Sequence, residues 1–140
     1  MLLDAPFCCA HQSSCASIQG HSFLRHIERC AALILVVDLS AGLDGKSGQR
    51  ASGQLRMLRD ELDEYDRSLA DRPMLVVGTK LDMPGAARSL AGLRRSATAA
   101  ALPRPLGVSA VTGHGIAALK EALLQLTSQS KRADASIEQQ

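Results

Sequence analysis

Three polar segments follow apolar runs in this sequence, and their residue types suit binding better than packing. They are Asp38-Leu39-Ser40, Gly78-Thr79-Lys80-Leu81-Asp82 and Ser109-Ala110-Val111-Thr112-Gly113. In open α/β sheets, ligands bind beyond the carboxyl ends of the strands. If the apolar runs are parallel strands, the three segments meet at that edge of the sheet, and we expect the binding chemistry of the protein there.

The second and third segments resemble the guanine-recognition loops of P-loop GTPases. Thr79-Lys80-Leu81-Asp82 is similar to the motif Asn-Lys-x-Asp, with Thr79 in place of the usual asparagine. Ser109-Ala110-Val111 is similar to the Ser-Ala-x loop, although serine is also a residue type that often begins a helix. Both motifs in this order, each after an apolar run, indicate GTPase ancestry because structural context is what confirms a short motif.

The resemblance implies a role for the residues of both loops. Guanine presents a ring N–H beside an amino group, and the Asp82 carboxylate is placed to accept a strong, charge-assisted bond from each. The aliphatic stem of Lys80 would lie along the base, the Ala110 N–H would donate to the guanine carbonyl oxygen, and Ser109 would brace the loop. The predicted guanine-binding residues are Thr79, Lys80, Leu81, Asp82, Ser109, Ala110 and Val111.

The spacing of apolar residues predicts the elements that position these loops. The predicted strands are 31–37, buried on both faces, 74–77, and a short strand within 102–108. The predicted amphipathic helices are 21–30, 54–70, 84–100 and 113–127, followed by a frayed polar tail. Helices alternating with strands in this way are typical of a parallel α/β sheet.

Further segments resemble the Obg family of GTPases. They are residues 20–30, Val36-Val37-Asp38-Leu39-Ser40, Glu61-Leu62-Asp63-Glu64-Tyr65, and Arg72-Pro73. The resemblance covers about residues 20–127 and implies part of a Ras-like domain that binds GTP or GDP with Mg²⁺. It also implies work in assembly of the large ribosomal subunit, with that subunit or its rRNA as partner, in the cytoplasm, a mitochondrion or a chloroplast.

The phosphate-binding motif of P-loop GTPases does not occur in the sequence. Its pattern, Gly-x-x-x-x-Gly-Lys-Ser/Thr, holds the phosphates with backbone N–H groups and a lysine. Lys46-Ser47 lacks the first glycine, and Asp4-Ala5-Pro6-Phe7 has Phe7 where the family's magnesium-side motif has glycine. We therefore predict guanine recognition with no catalytic residue, and no useful rate of GTP hydrolysis.

Composition excludes several other classes of protein. Hydrophobic residues make up 46% and charged residues 21% of the chain, which is typical of a globular rather than a disordered protein. The net charge of +2 without a clustered basic face does not itself indicate a nucleic-acid binder. No apolar run approaches the roughly 20 residues of a membrane span. Cys9, His11 and Cys15 match no common zinc spacing, so we predict no metal site.

These observations predict an α/β fold, a partial Ras-like three-layer parallel sheet truncated in its N-terminal half. It would have about three strands with flanking helices, an irregular or unrelated segment 1–19, the partial G domain at 20–128, and a polar tail at 129–140. The strand residues 33–37 would have an unpaired apolar edge, because the strand that carries the phosphate loop is missing. Two alternatives stay open: a non-catalytic protein that binds a partner, and a truncated gene product without nucleotide binding.

Overall fold

The computed structural model describes residues 30, 32–43, 50–65, 67–69 and 71–137, with the backbone alone at residues 65, 69 and 129–137. The predicted irregular segment 1–19, the predicted helix at 21–30 apart from Cys30, and Lys46-Ser47 lie outside these residues. The division of the chain into domains therefore stays a prediction.

The described part of the chain alternates strands and helices, as the apolar spacing predicts. The strands are β1 (Leu33–Asp38), β2 (Met74–Thr79) and β3 (Leu106–Gly107), and the helices are α1 (Ala51–Tyr65), α2 (Ala86–Ala99) and α3 (Ile116–Ile137), with a 3-10 turn at Arg67–Leu69. The strands form one parallel sheet in the order β1-β2-β3. This arrangement confirms the predicted α/β class and the partial Ras-like sheet of three strands.

The strand register brings the carboxyl ends of all three strands to one edge of the sheet. Asp38, the last residue of β1, lies opposite Thr79, the last residue of β2. Beyond the ladder, the Leu39 N–H donates to the Thr79 carbonyl at 3.1 Å, and the Val108 N–H donates to the Gly78 carbonyl at 2.8 Å. The three polar segments that follow the strands therefore start side by side.

The helices cover the sheet in layers that follow from the apolar residues. On one face, α1 and α2 pack against β1 and β2 with a cluster that includes Leu35, Val37, Leu55 and Leu93. On the other face, α3 packs Leu126 with apolar residues of β2 and the chain around β3. Each such side chain, when fully buried, stabilises the fold by about 1.5–3 kcal/mol. These two clusters hold the strand ends, and with them the polar segments, in place.

The prediction that β1 is buried on both faces is wrong. Its side chains alternate between buried and exposed, and Ile34 and Val36 are each 43% exposed. On the same face of the sheet, Leu75 and Val77 of β2 are buried because α3 lies over them. Within the described residues β1 is the edge strand, and α3 does not reach across to it.

The last helix continues beyond the predicted limit. Residues after Thr127 were expected to fray, but α3 runs to Ile137. The expectation rested on the loss of apolar spacing, which reports packing rather than backbone conformation. Alanine, lysine, arginine and glutamine favour helix without a packing partner, and they are common in this segment. In the part of the chain that the structure describes, no helix is both long and apolar enough to cross a membrane.

Candidate functional site

The buried hydroxyl of Ser109 joins the loops that follow β2 and β3. Its Oγ donates to Oδ1 of Asp82 at 2.6 Å, although the two residues are 27 positions apart. The same Oγ accepts the Thr112 N–H at 3.2 Å, and the Ser109 N–H donates to the His114 carbonyl at 2.9 Å. Ser109 is 1% exposed. This one buried residue therefore stabilises the loop after β3 and orients the Asp82 carboxylate in the loop after β2.

The backbone of both loops is held tightly. The Leu81 N–H donates to the Val108 carbonyl at 3.0 Å, which ties the first loop to the end of β3. Lys80 has a φ of 61°, a left-handed conformation that is uncommon for a residue with a side chain. A Cβ at Gly115 would collide with the Gly107 carbonyl oxygen, so only glycine allows this close approach. Backbone hydrogen bonding and close packing thus connect the two loops.

A cavity of about 290 Å³ lies between the loops. Its lining residues are Leu81, Asp82, Ser109, Thr112 and His114. The Asp82 carboxylate accepts from Ser109 through Oδ1, and within the described residues Oδ2 has no hydrogen-bond partner. A carboxylate fixed in this way at a polar cavity can accept bonds from adjacent N–H donors of a ligand.

A second polar group lies at the end of β1. Oδ1 of Asp38 accepts the Ser40 N–H at 2.8 Å and the Ser40 Oγ at 2.6 Å, and Oδ2 accepts Nζ of Lys80 at 2.7 Å. Partial burial raises the pKa of Asp38, but the hydrogen bonds from Lys80 and Ser40 outweigh it, and the net pKa is lowered. Asp38 is therefore held as a carboxylate and fixes the ammonium of Lys80.

Gln54 of α1 holds the backbone at Asp38. Its Oε1 accepts the Asp38 N–H at 2.9 Å, and its Nε2 donates to the Asp38 carbonyl at 3.3 Å. Leu33 and Leu39 direct their N–H groups to the β2 side, so the backbone groups of Asp38 point away from β2. The Gln54 side chain, which is 9% exposed, thus satisfies backbone groups of Asp38 that have no strand partner within the described residues.

The structure brings some of the predicted site residues together and separates others. Leu81, Asp82 and Ser109 line the cavity, whereas Thr79, Lys80, Ala110 and Val111 do not. The Thr79 Oγ1 donates to the Val37 carbonyl at 3.2 Å, and Lys80 bonds to Asp38. Ala110 is exposed, and Val111 is 85% exposed.

Sequence reasoning missed four residues of this region: Asp38, Gln54, Thr112 and His114. Asp38 and Thr112 were placed at the correct edge of the sheet without a role, and position directly after a strand was the available signal. Gln54 carries no such signal, because it lies inside an amphipathic helix. Within the described residues, no group of three or more His, Cys, Asp or Glu side chains is placed to hold a metal ion.

Comparison with known proteins shows which proteins this chain is similar to. No protein-family model matches the chain. Over 107 residues the chain is 43% identical to "Probable GTP-binding protein OBGM, mitochondrial" of Arabidopsis thaliana, a match that covers 76% of the chain and 21% of that protein. It is 41% identical over 107 residues to GTPase Obg of Opitutus terrae, covering 76% of the chain and 29% of the relative. It is 36% identical over 110 residues to GTPase Obg of Bacillus pumilus, a match that covers 79% of the chain and 24% of the relative. The chain thus spans 21–29% of the length of these curated relatives.

Proposed function

Because the chain belongs to the Obg family of GTP-binding proteins, we propose that the loops after β2 and β3 recognise the base of a guanine nucleotide, GDP or GTP. The observation that carries the proposal is the 2.6 Å hydrogen bond from Ser109 to Asp82 at the wall of the cavity. This bond joins the two guanine-type motifs. It links Asp82, which is expected to bind the base, to Ser109, which is expected to brace the loop.

Asp82 would select guanine through its carboxylate. The ring N–H and the amino group of guanine are adjacent donors, and adenine has no equivalent pair. A site built to pair with specific donors rejects a ligand that lacks them, because its polar groups are then left unpaired. Ser109 holds one oxygen of this carboxylate, so the direction of the second oxygen is set in advance. Pre-organisation of this kind lowers the cost of binding.

The other residues of the two loops complete the proposed base site. Ala110 is exposed at the start of its loop, where its N–H is available to the guanine carbonyl oxygen. Leu81 lines the cavity and gives the base an apolar contact. The full set proposed for guanine binding is Thr79, Lys80, Leu81, Asp82, Ser109, Ala110 and Val111.

The proposal for these residues is limited to base recognition. Groups that contact the base stabilise substrate and transition state alike, so they do not accelerate phosphoryl transfer. The Mg²⁺ that the family resemblance implies belongs with the phosphates rather than with the base. GTP hydrolysis, work in assembly of the large ribosomal subunit with that subunit or its rRNA as partner, and a place in the cytoplasm, a mitochondrion or a chloroplast rest on the family resemblance alone.

Calorimetric titration with GDP tests the proposal, with ADP as the control ligand. Replacing Asp82 with alanine should weaken GDP binding by about 1.5–3 kcal/mol, the range for a hydrogen bond to a charged group. Asp71→Ala is the matched control variant, because Asp71 is exposed and precedes β2 at the opposite end of the strand. Equal GDP affinity for the wild type and Asp82→Ala, or equal affinity for GDP and ADP, contradicts the proposal.

A further inference from the structure

The ammonium of Lys80 is held on the β1 side of the site. Its Nζ lies 2.7 Å from Oδ2 of Asp38, across 42 positions of the chain. The two side chains are 51% and 30% exposed, so the pair lies at the protein surface. The left-handed backbone of Lys80, at a φ of 61°, aims the side chain in a direction that an ordinary strand or turn would not give.

The position of Asp38 does not depend on Lys80. Its other carboxylate oxygen accepts two hydrogen bonds from Ser40, at 2.8 and 2.6 Å. Its backbone is held on both polar groups by the buried side chain of Gln54. The carboxylate is therefore a fixed anchor to which the Lys80 ammonium binds.

We propose that Asp38 is a positioning residue for the guanine site, which holds the ammonium of Lys80 at the end of β1 so that the aliphatic stem is presented to the base. This inference rests on the proposed guanine recognition. An unrestrained lysine side chain samples many rotamers and loses that freedom when it packs against a ligand. With the ammonium already bound to Asp38, part of this loss occurs on folding, so the nucleotide meets a more ordered site.

The direction of the Asp38 pKa shift is consistent with the hydrogen bonds that hold its carboxylate. Partial burial by itself raises the pKa of a carboxyl group. In Asp38 the hydrogen bonds from Lys80 and Ser40 overcome this effect, and the pKa is lowered. The carboxylate is thus stabilised by its partners in the form that can hold an ammonium.

A double-mutant cycle tests whether Asp38 acts through Lys80. GDP affinity is measured by calorimetry for the wild type, Asp38→Asn, Lys80→Ala and the double variant. The asparagine keeps an oxygen that can accept the Ser40 bonds but removes the charge. We expect Asp38→Asn to weaken GDP binding about two- to fivefold in the wild-type background, the range for an exposed ion pair, and to have no effect in the Lys80→Ala background. Equal losses in both backgrounds, or no loss in either, overturn the inference.

A second measurement reports on the pair without nucleotide. Lysine acylation by a small amine-reactive ester is followed by peptide mass spectrometry at Lys80 and at Lys120, which is exposed on α3. Because acylation requires the amine to leave the carboxylate, Asp38→Asn should speed the reaction at Lys80 and leave Lys120 unchanged. An unchanged rate at Lys80 shows that Asp38 does not hold it and overturns the inference.

The two proposals fail in different ways. GDP binding that is absent, or insensitive to Asp82→Ala, contradicts guanine recognition and with it any role of Asp38 in that site. Binding that is lost in Asp82→Ala but shows no coupling between Asp38 and Lys80 contradicts the positioning role alone. Thermal melting of Asp38→Asn, monitored by circular dichroism, identifies any loss that comes from unfolding.

Discussion

At the level of single residues, the site depends on short contacts between side chains that are far apart in sequence. Ser109 reaches Asp82 across 27 positions, and Lys80 reaches Asp38 across 42. In both pairs the carboxylate is fixed by a serine: Ser109 for Asp82 and Ser40 for Asp38. A hydroxyl fixes an anion without neutralising it, so each carboxylate keeps its charge for a further partner.

Asp38 predicts a pH dependence of stability. Its pKa is lowered in the folded protein, so the folded state binds the proton less readily than the unfolded state. Its contribution is therefore fully present above the ordinary aspartate pKa of about 3.9 and is lost as the pH falls through the lower folded value. Urea unfolding of the wild type and Asp38→Asn should differ more at pH 6 than at pH 3. A difference that is equal at both pH values contradicts this assignment.

At the level of elements, Gln54 connects α1 to the side of β1 that has no neighbouring strand in the described part of the chain. Backbone N–H and C=O groups on an edge strand need partners just as those in the sheet do. The amide of Gln54 supplies both a donor and an acceptor to Asp38. The position of α1 along β1 and the position of the polar group at the end of β1 are therefore linked.

Replacing Gln54 with leucine should destabilise the fold. Leucine has a similar size to glutamine but leaves the Asp38 backbone without its side-chain partner. The free energy of unfolding should fall by about 1–3 kcal/mol. Gln125→Leu on the exposed face of α3 is the matched control and should have little effect. Chemical denaturation measures both. Equal free energies of unfolding for wild type and Gln54→Leu would show that water replaces the amide at no cost.

At the level of the whole molecule, the sheet is covered unevenly. The outer face of β1 leaves Ile34 and Val36 each 43% exposed, next to β2 residues that α3 buries. Apolar side chains exposed side by side on a sheet face offer a surface for contact with another chain. The alternative reading of the sequence, a protein that binds a partner, is compatible with this surface.

We predict that the purified 140-residue chain self-associates through this face. Replacing Ile34 and Val36 with threonine keeps the β-branched shape that strands favour and should increase the monomer fraction measured by light scattering after size-exclusion chromatography. Val111→Thr is the control, since Val111 is 85% exposed in a loop rather than in a strand. A wild-type chain that is monomeric and melts in one cooperative transition refutes the prediction.

We also predict that these 140 residues turn over GTP no faster than the buffer blank. Phosphoryl transfer depends on positioning and on stabilising the charge of the phosphate oxygens. The proposed contacts of Asp82 and Ser109 are to the base, at the other end of the nucleotide. A phosphate-release assay decides the matter. Turnover above the blank that disappears in Asp82→Ala would show that residues of this chain also act on the phosphates.

Sequence patterns by themselves determined most of the elements that the structure describes and the edge of the sheet that carries the polar segments. Continuous apolar runs predicted β1 and β2, and periodic apolar residues predicted α1 and α3, because these patterns report which side chains leave water. The parallel arrangement then placed Asp38, Asp82 and Ser109 at one edge. Resemblance of the two loops to known motifs indicated the ligand, and the Ser109–Asp82 bond agrees with the predicted bracing role of Ser109.

Only the tertiary structure decided which of these residues meet. The apolar run of β1 does not indicate whether helices cover one face of the strand or both. That depends on how far α3 extends across the sheet. The Asp38–Lys80 pair requires both the register of β1 with β2 and the left-handed backbone at Lys80. The Gln54 amide bonds to the Asp38 backbone only because the packing of α1 places Gln54 beside the end of β1. Such contacts depend on distances between elements, which local spacing does not encode.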